Sequence, residues 1–252
     1  MAYLILAIFL FGLILGSFLN AVIFRLHSGE SFLFGRSHCF KCNHELSAAD
    51  LVPVLSFLWL RGRCRYCRAK LSWQYPVVEI LTGALMVLLA IKFQMNFGPE
   101  FFISAVFIAF LIVIAVFDLK HYLILDKVVI PFFVLALANS IYQKYFLSSV
   151  IGALVIAGFF GLQYLISRGR WIGLGDVKLG LVLGSLGGWM LGVVLIVVAY
   201  FAGAAAGLGL ILGKKKQLSS RMPFGVFLGS SAIITILYGD KILAWYLKLI
   251  GL

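Results

Sequence analysis

Charged residues are scarce in this sequence, and acids are the scarcest. Of its 252 residues only 12% are charged and nine are Asp or Glu, whereas 63% are hydrophobic. The mean hydropathy is +1.10. Soluble domains carry about 25% charged residues, so this composition excludes an ordinary soluble domain. Since about 20 apolar residues cross the hydrocarbon layer of a bilayer, the length allows several spans and indicates an integral membrane protein.

The N-terminal apolar run, Tyr3 to Phe24, lacks the features of a removable signal peptide. No basic region precedes it and no Ala-x-Ala site follows it. We therefore expect this run to remain as the first membrane helix.

Basic residues outnumber acids, and the formal net charge is +12. In a membrane protein such an excess marks cytoplasmic loops that contact membrane lipids, so no nucleic-acid partner is expected. Most Lys and Arg residues fall in loops that would share one side. One of these loops contains Lys214, Lys215, Lys216 and Arg221. The pattern predicts that both chain ends lie outside.

The fold class predicted from the apolar runs is an all-α polytopic membrane protein with about eight transmembrane helices. Its predicted parts are a first helix over residues 1–24, a cytoplasmic loop subdomain over 25–72 and a membrane core over 73–252. Within the core, Leu179–Trp189 reads as a short glycine-rich helix, and the last span is expected to end near Tyr238.

All four cysteines lie in the predicted loop subdomain, as Cys39-x2-Cys42 and Cys64-x2-Cys67. Two such pairs are typical of zinc knuckles, which present four thiolates tetrahedrally and leave no open position for substrate. In so short a subdomain the metal would supply much of the folding free energy, so zinc is predicted to be structural. Two disulfides are the alternative, which a reducing cytoplasmic side disfavours. His38 or His44 could also replace a cysteine as ligand.

Two acids end or begin apolar runs, where membrane proteins seldom place a charge. Asp118 ends the run from Phe101, and Asp176 follows Gly173 and Gly175. The glycines allow the backbone to unwind or to approach another segment closely. Taken alone, the Gly-Leu-Gly-Asp stretch could also be a helix-entry turn with Asp176 as its N-cap.

The predicted topology places Asp118 and Asp176 at the same depth, the cytoplasmic boundary. Two close carboxyl groups share a proton, so one can serve as base toward water and the other as acid toward a carbonyl. This pattern predicts aspartic-type hydrolysis of a peptide bond. Glu79 has two readings: a charge that shares a helix N-terminus or pairs with the arginine-rich loop, or a support beside the active site.

These motifs together resemble the type IV prepilin peptidases of bacteria. The resemblance extends over nearly the whole chain and rests on Gly16-Ser17-Phe18-Leu19-Asn20, the paired Cys-x2-Cys, Tyr75-Pro76-Val77-Val78-Glu79, Asp118, Gly173-Leu174-Gly175-Asp176-Val177-Lys178-Leu179 and Pro223-Phe224-Gly225. The chain departs from the family pattern at Leu125, where Pro often precedes the Asp, and at Gln74, where Arg often precedes Tyr-Pro.

The resemblance implies a function and a set of site residues. Asp118 and Asp176 would be the catalytic pair, with Gly173, Gly175, Lys178 and Glu79 in support. The substrates would be prepilin or pseudopilin precursors, cut after a short basic leader at the cytoplasmic face of the bacterial inner membrane. Many members then methylate the new N-terminus with S-adenosylmethionine.

A membrane transporter is the rival hypothesis. Its intramembrane acids would coordinate cations and its zinc knuckle would be regulatory. This reading explains the presence of the acids, but it does not explain why both lie at one boundary. The sequence does not indicate an oligomeric state.

Overall fold

Helices dominate the structure because a backbone in lipid must satisfy its own polar groups. The structure is a computed structural model, and it describes residues 2–31, 35–213 and 222–249. The basic loop with Lys214, Lys215, Lys216 and Arg221 lies outside these ranges. The helices are α1 (Ala2–Ser28), α2 (Leu55–Trp59), α3 (Gln74–Lys92), α4 (Pro99–His121), α5 (Asp126–Tyr142), α6 (Phe146–Ser167), α7 (Leu174–Leu186), α8 (Gly188–Leu212) and α9 (Phe224–Leu249), with a 3₁₀ turn at Ala48–Leu51.

Eight of these helices coincide with the eight predicted apolar runs. In the part of the chain that the structure describes, six helices are long and apolar enough to cross a membrane, namely α1, α3, α4, α6, α8 and α9. The other two are shorter, since α5 has 17 residues and α7 has 13. The chain is thus an all-α, multi-pass membrane protein, and two of its apolar runs form shorter helices.

Both predicted bounds of the short glycine-rich helix were wrong. The short helix expected from Leu179 begins five residues earlier, so α7 includes Asp176 in its first turn and ends at Leu186. Gly187 lies between α7 and α8, and Gly188, the first residue of α8, has φ +75°, a left-handed conformation that interrupts a continuous helix. The last helix extends to Leu249, beyond Tyr238, and the exit of the last span from the membrane near Tyr238 stays a prediction.

The chain divides into two compact units, residues 1–113 and 114–252, with the boundary inside α4. In the first unit, α1 packs along α3 through glycines. A Cβ on Gly12 would lie 2.6 Å from Gly83 Cα, and one on Gly16 would lie 2.6 Å from Glu79 Cα. Gly12 and Gly16, which lie four residues apart, thus let α1 approach α3 closely. The predicted division at residues 24 and 72 stays a prediction.

In the second unit α7 packs mainly against α6, and also against α5, α8 and α9. Gly152 of α6 and Gly184 of α7 face each other so closely that a Cβ on either would meet the backbone of the other. Gly180 sits against Phe160 in the same interface. This contact fixes the helix that bears Asp176.

Gly184→Ala is expected to destabilise the protein, because the added methyl group meets backbone atoms that cannot rotate away. Overpacking of this kind typically costs about 1–3 kcal/mol. Thermal unfolding in detergent should show a lower midpoint. Gly158→Ala in α6 is the matched control, since its Cβ would have no atom within 4 Å, and it should leave the midpoint unchanged or raise it. Equal midpoints for the two variants would contradict the packing argument.

Candidate active site and metal centre

The four cysteines form a cluster of the size of a metal site. Their Sγ atoms all lie within 4.8 Å of one another, and the Cys39 and Cys67 sulfurs are 3.8 Å apart. A tetrahedral zinc with bonds of about 2.3 Å requires sulfurs about 3.8 Å apart. All four are free thiols, so the disulfide alternative is not what the structure contains.

Each cysteine pair sits on the same kind of backbone turn. The N–H of Cys39 donates to His44 O at 2.9 Å, and that of Cys64 donates to Ala69 O at 2.8 Å. Asn43 and Arg68, each directly after the second cysteine, adopt φ values of +54° and +57°. The two turns are thus near copies that present their thiols to a shared centre.

The histidines beside the first knuckle contact other groups. His38 Nε2 lies 3.8 Å from Glu30 Oε1, and its ring meets Phe40 edge-on. The His44 ring lies 3.6 Å from that of Tyr66, centroid to centroid. The metal-sized cluster of the described residues contains cysteines alone.

Asp50 joins the two halves of the metal loop. Its carboxylate accepts hydrogen bonds from Arg65 Nε at 2.6 Å and from the Ser47 hydroxyl at 2.8 Å. Burial alone would raise the pKa of Asp50, but the bonds from Arg65 and Ser47 outweigh it and hold that pKa below its usual value. The carboxylate therefore stays charged and links the 3₁₀ turn to the second knuckle.

Glu79 lies in the first unit, one turn into α3, and only 5% of it is exposed. Its Oε2 accepts a hydrogen bond of 2.7 Å from the backbone N–H of Val54, and the Ser17 hydroxyl is a second donor. Glu79 does contact the loop, as one reading of the sequence held, but the contact is to loop backbone. Sequence reasoning missed Val54 because a backbone donor leaves no residue-type signal.

Asp118 lies near the end of α4, and Asp176 lies in the first turn of α7. They are 5% and 9% exposed, and the charge of Asp118 acts on Asp176. Both belong to the second unit. The structure thus brings together the two acids that the sequence singled out.

The start of α9 holds the Asp118 carboxyl group. The backbone N–H groups of Gly225 and Val226 donate toward it, as expected at the positive end of a helix. Its Oδ2 is buried and has no hydrogen-bond partner in the described part of the chain. A Cβ on Gly225 would lie 2.8 Å from Oδ2, so only glycine leaves room for the carboxylate there.

Asp176 is held by its own helix entry. The N–H of Gly173, the N-cap of α7, donates to Asp176 Oδ2 at 3.1 Å. The helix-entry reading was therefore right about the turn, although Gly173 and not Asp176 is the N-cap. A Cβ on Gly175 would lie 3.0 Å from the Ile124 side chain, which also contacts Gly225. Ile124 is thus a shared neighbour of both acidic segments.

Lys178 pairs with Asp126. Its Nζ lies 2.8 Å from both carboxyl oxygens, and both side chains are about half exposed. This pair links α7 to the first turn of α5. The pair thus ties the helix that bears Asp176 to α5, and a supporting role of Lys178 in the site stays a prediction.

Tyr200 of α8 is a site neighbour that sequence reasoning missed. It lies within electrostatic reach of Asp176. Its hydroxyl donates to Gln163 Oε1 at 2.9 Å, and its ring meets Phe224 edge-on. A tyrosine within an apolar span gives no local signal of this placement.

Comparisons with known proteins agree over the whole length of the chain. Residues 10–93 match the bacterial peptidase A24 N-terminal domain, and residues 105–239 match the type IV leader peptidase family. The prepilin leader peptidase/N-methyltransferase of Bacillus subtilis is 34% identical over 251 residues, covering 96% of this chain and 97% of that protein. Its counterpart in Aeromonas salmonicida is 32% identical over 275 residues, covering 96% and 94%.

A more distant counterpart in Pseudomonas aeruginosa is 27% identical over 278 residues, covering 98% of this chain and 94% of that protein. No solved structure matches the chain. With a family match over more than half of its length and relatives above 30% identity along nearly all of it, the chain belongs to the type IV leader peptidase family.

Proposed function

We propose that this protein removes the leader from prepilin-like precursors, with Asp118 and Asp176 as its catalytic pair, and then methylates the new N-terminus. The observation that carries the peptidase half is that two buried carboxyl groups, near the end of α4 and in the first turn of α7, lie within electrostatic reach of each other. Family membership and the names of the relatives support the same reaction.

The hydrolysis follows from one shared proton. Repulsion between two close carboxylates favours the state in which one is ionised and the other protonated. The ionised carboxylate takes a proton from water as the oxygen attacks the peptide carbonyl, and the other acid donates its proton to the carbonyl oxygen. The first carboxyl group then gives its proton to the leaving nitrogen, and the second takes a proton from a hydroxyl of the tetrahedral intermediate. The C–N bond breaks, the new carboxyl group and amine are released, and the pair again shares one proton.

The surroundings suggest which acid is the base. The two N–H groups at the start of α9 stabilise negative charge on Asp118, whereas Asp176 receives one such bond from Gly173. We assign Asp118 as the base and Asp176 as the acid. The unpartnered Oδ2 of Asp118 then provides the acceptor for the attacking water.

The rival transporter function gains no support from the comparisons, which match peptidases. A bound cation would neutralise the charge of the two carboxylates as well as a shared proton does. The transporter hypothesis does not explain why backbone N–H groups at the start of α9 already donate to Asp118.

The metal we assign to the four thiols is zinc, in a structural role. The sulfur spacing fits a tetrahedral ion, and four protein ligands leave no position for substrate. The methyl donor we assign is S-adenosylmethionine, which when bound supplies a methyl group to the free amine. A cavity of the first unit is lined by aromatic, acidic and basic side chains, and its aromatic faces together with the Glu79 carboxylate suit a sulfonium cation.

We place the metal loop and the aspartate pair on the cytoplasmic side of a bacterial inner membrane. The support is the concentration of 17 of the 21 Lys and Arg residues in the loops predicted for that side. Substrate recognition would rest on the apolar helix that follows the cleavage point, because a basic leader is repelled by basic loops. Membrane lipids are the other expected partners.

Asp118→Asn and Asp176→Asn should each abolish leader cleavage, because each removes one of the two proton-transfer groups. We expect the cleavage rate to fall by at least about 100-fold, because a general acid or base typically contributes that much or more to the rate. The measurement is cleavage of a prepilin precursor by purified protein in detergent. Glu100→Gln, an exposed acid at the other end of α4, is the control and should cleave normally. Full cleavage by either Asn variant would contradict the dyad.

Gly225→Ala should also reduce cleavage, because its Cβ would displace the Asp118 carboxylate. Substrate affinity should change less than the rate of the chemical step. Gly209→Ala in α8 is the matched control, since its Cβ would have no atom within 4 Å. A Gly225→Ala variant with the wild-type turnover rate would argue against this position for Asp118.

Cys39→Ser and Cys64→Ser should each release the metal and lower the thermal midpoint, because these two buried thiols anchor both knuckles. His38→Ala and His44→Ala should retain the metal. Elemental analysis and thermal unfolding measure both effects. Leader cleavage should survive in the Ser variants that remain folded; a loss of cleavage in stable Ser variants would give the metal a catalytic role.

A further inference from the structure

A cavity of about 140 Å³ lies within the first unit, between α1, the start of α3 and the metal loop. The proposed peptidase chemistry does not use it, since Asp118 and Asp176 are not among its lining residues. Its walls include the two buried thiols, Cys39 and Cys64. The metal site therefore also fixes one wall of this cavity.

Glu79 is the unusual member of the cavity wall. It is buried, and both of its hydrogen-bond donors are neutral: the Val54 N–H and the Ser17 hydroxyl. The other buried carboxylate of the wall, on Asp50, already pairs with Arg65 at 2.6 Å. A buried carboxylate without a cationic partner is costly, which favours binding of a cation beside it.

The backbone turn that binds Glu79 indicates a functional role for this carboxylate. Val54 adopts φ +60° and ψ −49°, a tight three-residue turn closed by a bond from Leu55 N–H to Pro53 O. Positive φ is strained for a β-branched residue, and such strain collects at functional sites. The bond from Val54 to Glu79 couples the strained turn to the carboxylate.

Aromatic side chains line the cavity beside Glu79. The basic residues of the wall have other partners: Arg65 pairs with Asp50, Arg36 pairs with Glu45, His38 lies near Glu30 and Arg25 donates to Gly35 O. The Phe24 and Phe40 rings stack with centroids 3.4 Å apart, and Phe57 and Tyr75 also line the cavity. Aromatic faces attract cations that carry methyl groups in place of N–H donors. A carboxylate among aromatic rings is therefore suited to a methylated onium ion.

We propose that this cavity binds the sulfonium end of S-adenosylmethionine, with the Glu79 carboxylate as the counter-ion of the sulfonium. The proposal rests on the methyltransferase half of the proposed function and names its donor site. The cavity is smaller than the roughly 300 Å³ or more of typical cofactor sites, so we assign it the sulfonium and its flanking carbons. Once the methyl group has left, the remaining thioether is neutral, and Glu79 no longer retains it.

The test measures binding and needs no turnover. Isothermal titration of the full-length protein in detergent uses S-adenosylmethionine, sinefungin, whose amine carries the positive charge at the sulfonium position, and the neutral S-adenosylhomocysteine. Glu79→Gln keeps an oxygen for the Val54 N–H and removes the charge. We expect it to weaken both cationic probes by about tenfold or more and to change binding of the neutral one by less than about twofold.

Two further variants control for structure. Glu100→Gln removes an exposed acid of the same unit and should bind all three probes as the wild type does. Ala21→Leu fills the cavity without changing its charge and should weaken all three. Thermal midpoint and metal content identify the variants that are folded. If Ala21→Leu does not fold, the binding of the three probes to Glu79→Gln, compared with the wild type, is sufficient to test the role of Glu79.

The outcomes separate the two claims. Suppose that the wild type binds S-adenosylmethionine. If Glu79→Gln binds it equally well, or if Glu79→Gln weakens the neutral probe as much as the cationic ones, the role of Glu79 as counter-ion is overturned. The proposed methyltransferase activity is unaffected by either result. If the wild type cleaves leaders but binds none of the probes, the methyltransferase half of the proposed function fails, and this inference fails with it.

Discussion

Buried carboxylates are the constraint on which the arrangement of this protein depends. Apart from the Asp50 carboxylate, which pairs with Arg65, the buried acids of the described residues are Glu79, Asp118 and Asp176. Each accepts hydrogen bonds from backbone N–H groups: from Val54, from the start of α9, and from Gly173. A carboxylate away from water needs such donors, and fixed backbone groups supply them without ordering a flexible side chain.

Close helix contact is what makes these bonds possible. Gly16 allows α1 to approach Glu79, and Gly225 leaves the space that the Asp118 carboxylate occupies. Gly184 allows α7, the helix that bears Asp176, to pack closely against α6. These glycines thus position the acids, although of the three acids only Asp176 has a glycine beside it in the sequence. Without a hydrophobic driving force between helices in lipid, such close packing is also what holds the helices together.

Much of this could be predicted from the sequence, because the strongest signals are local. Apolar runs predicted the helices, and cysteine spacing predicted the two knuckles. Helix length was less predictable, since α7 begins at Leu174 through a cap that only the folded backbone shows. The roles of Ile124, Tyr200 and Val54 could not be predicted, because each depends on a contact between segments distant in sequence.

Glu79 illustrates the limit most clearly. Its position near a helix start suggested a partner among the arginines of the loop, and the structure gives it a backbone N–H and a hydroxyl instead. The arginine of that loop with a buried acidic partner is Arg65, which pairs with Asp50. Residue types indicate which charges are available, but only the fold decides which of them meet.

The central claim is that Asp118 and Asp176 share one proton during hydrolysis. It is tested most directly by the pH dependence of the cleavage rate under single-turnover conditions. The account predicts a bell-shaped profile, because the rate requires one ionised and one protonated carboxyl group and falls when both are protonated or both are ionised. A rate that rises with pH to a plateau, with no fall on the alkaline side at any pH where the protein stays folded, would contradict it.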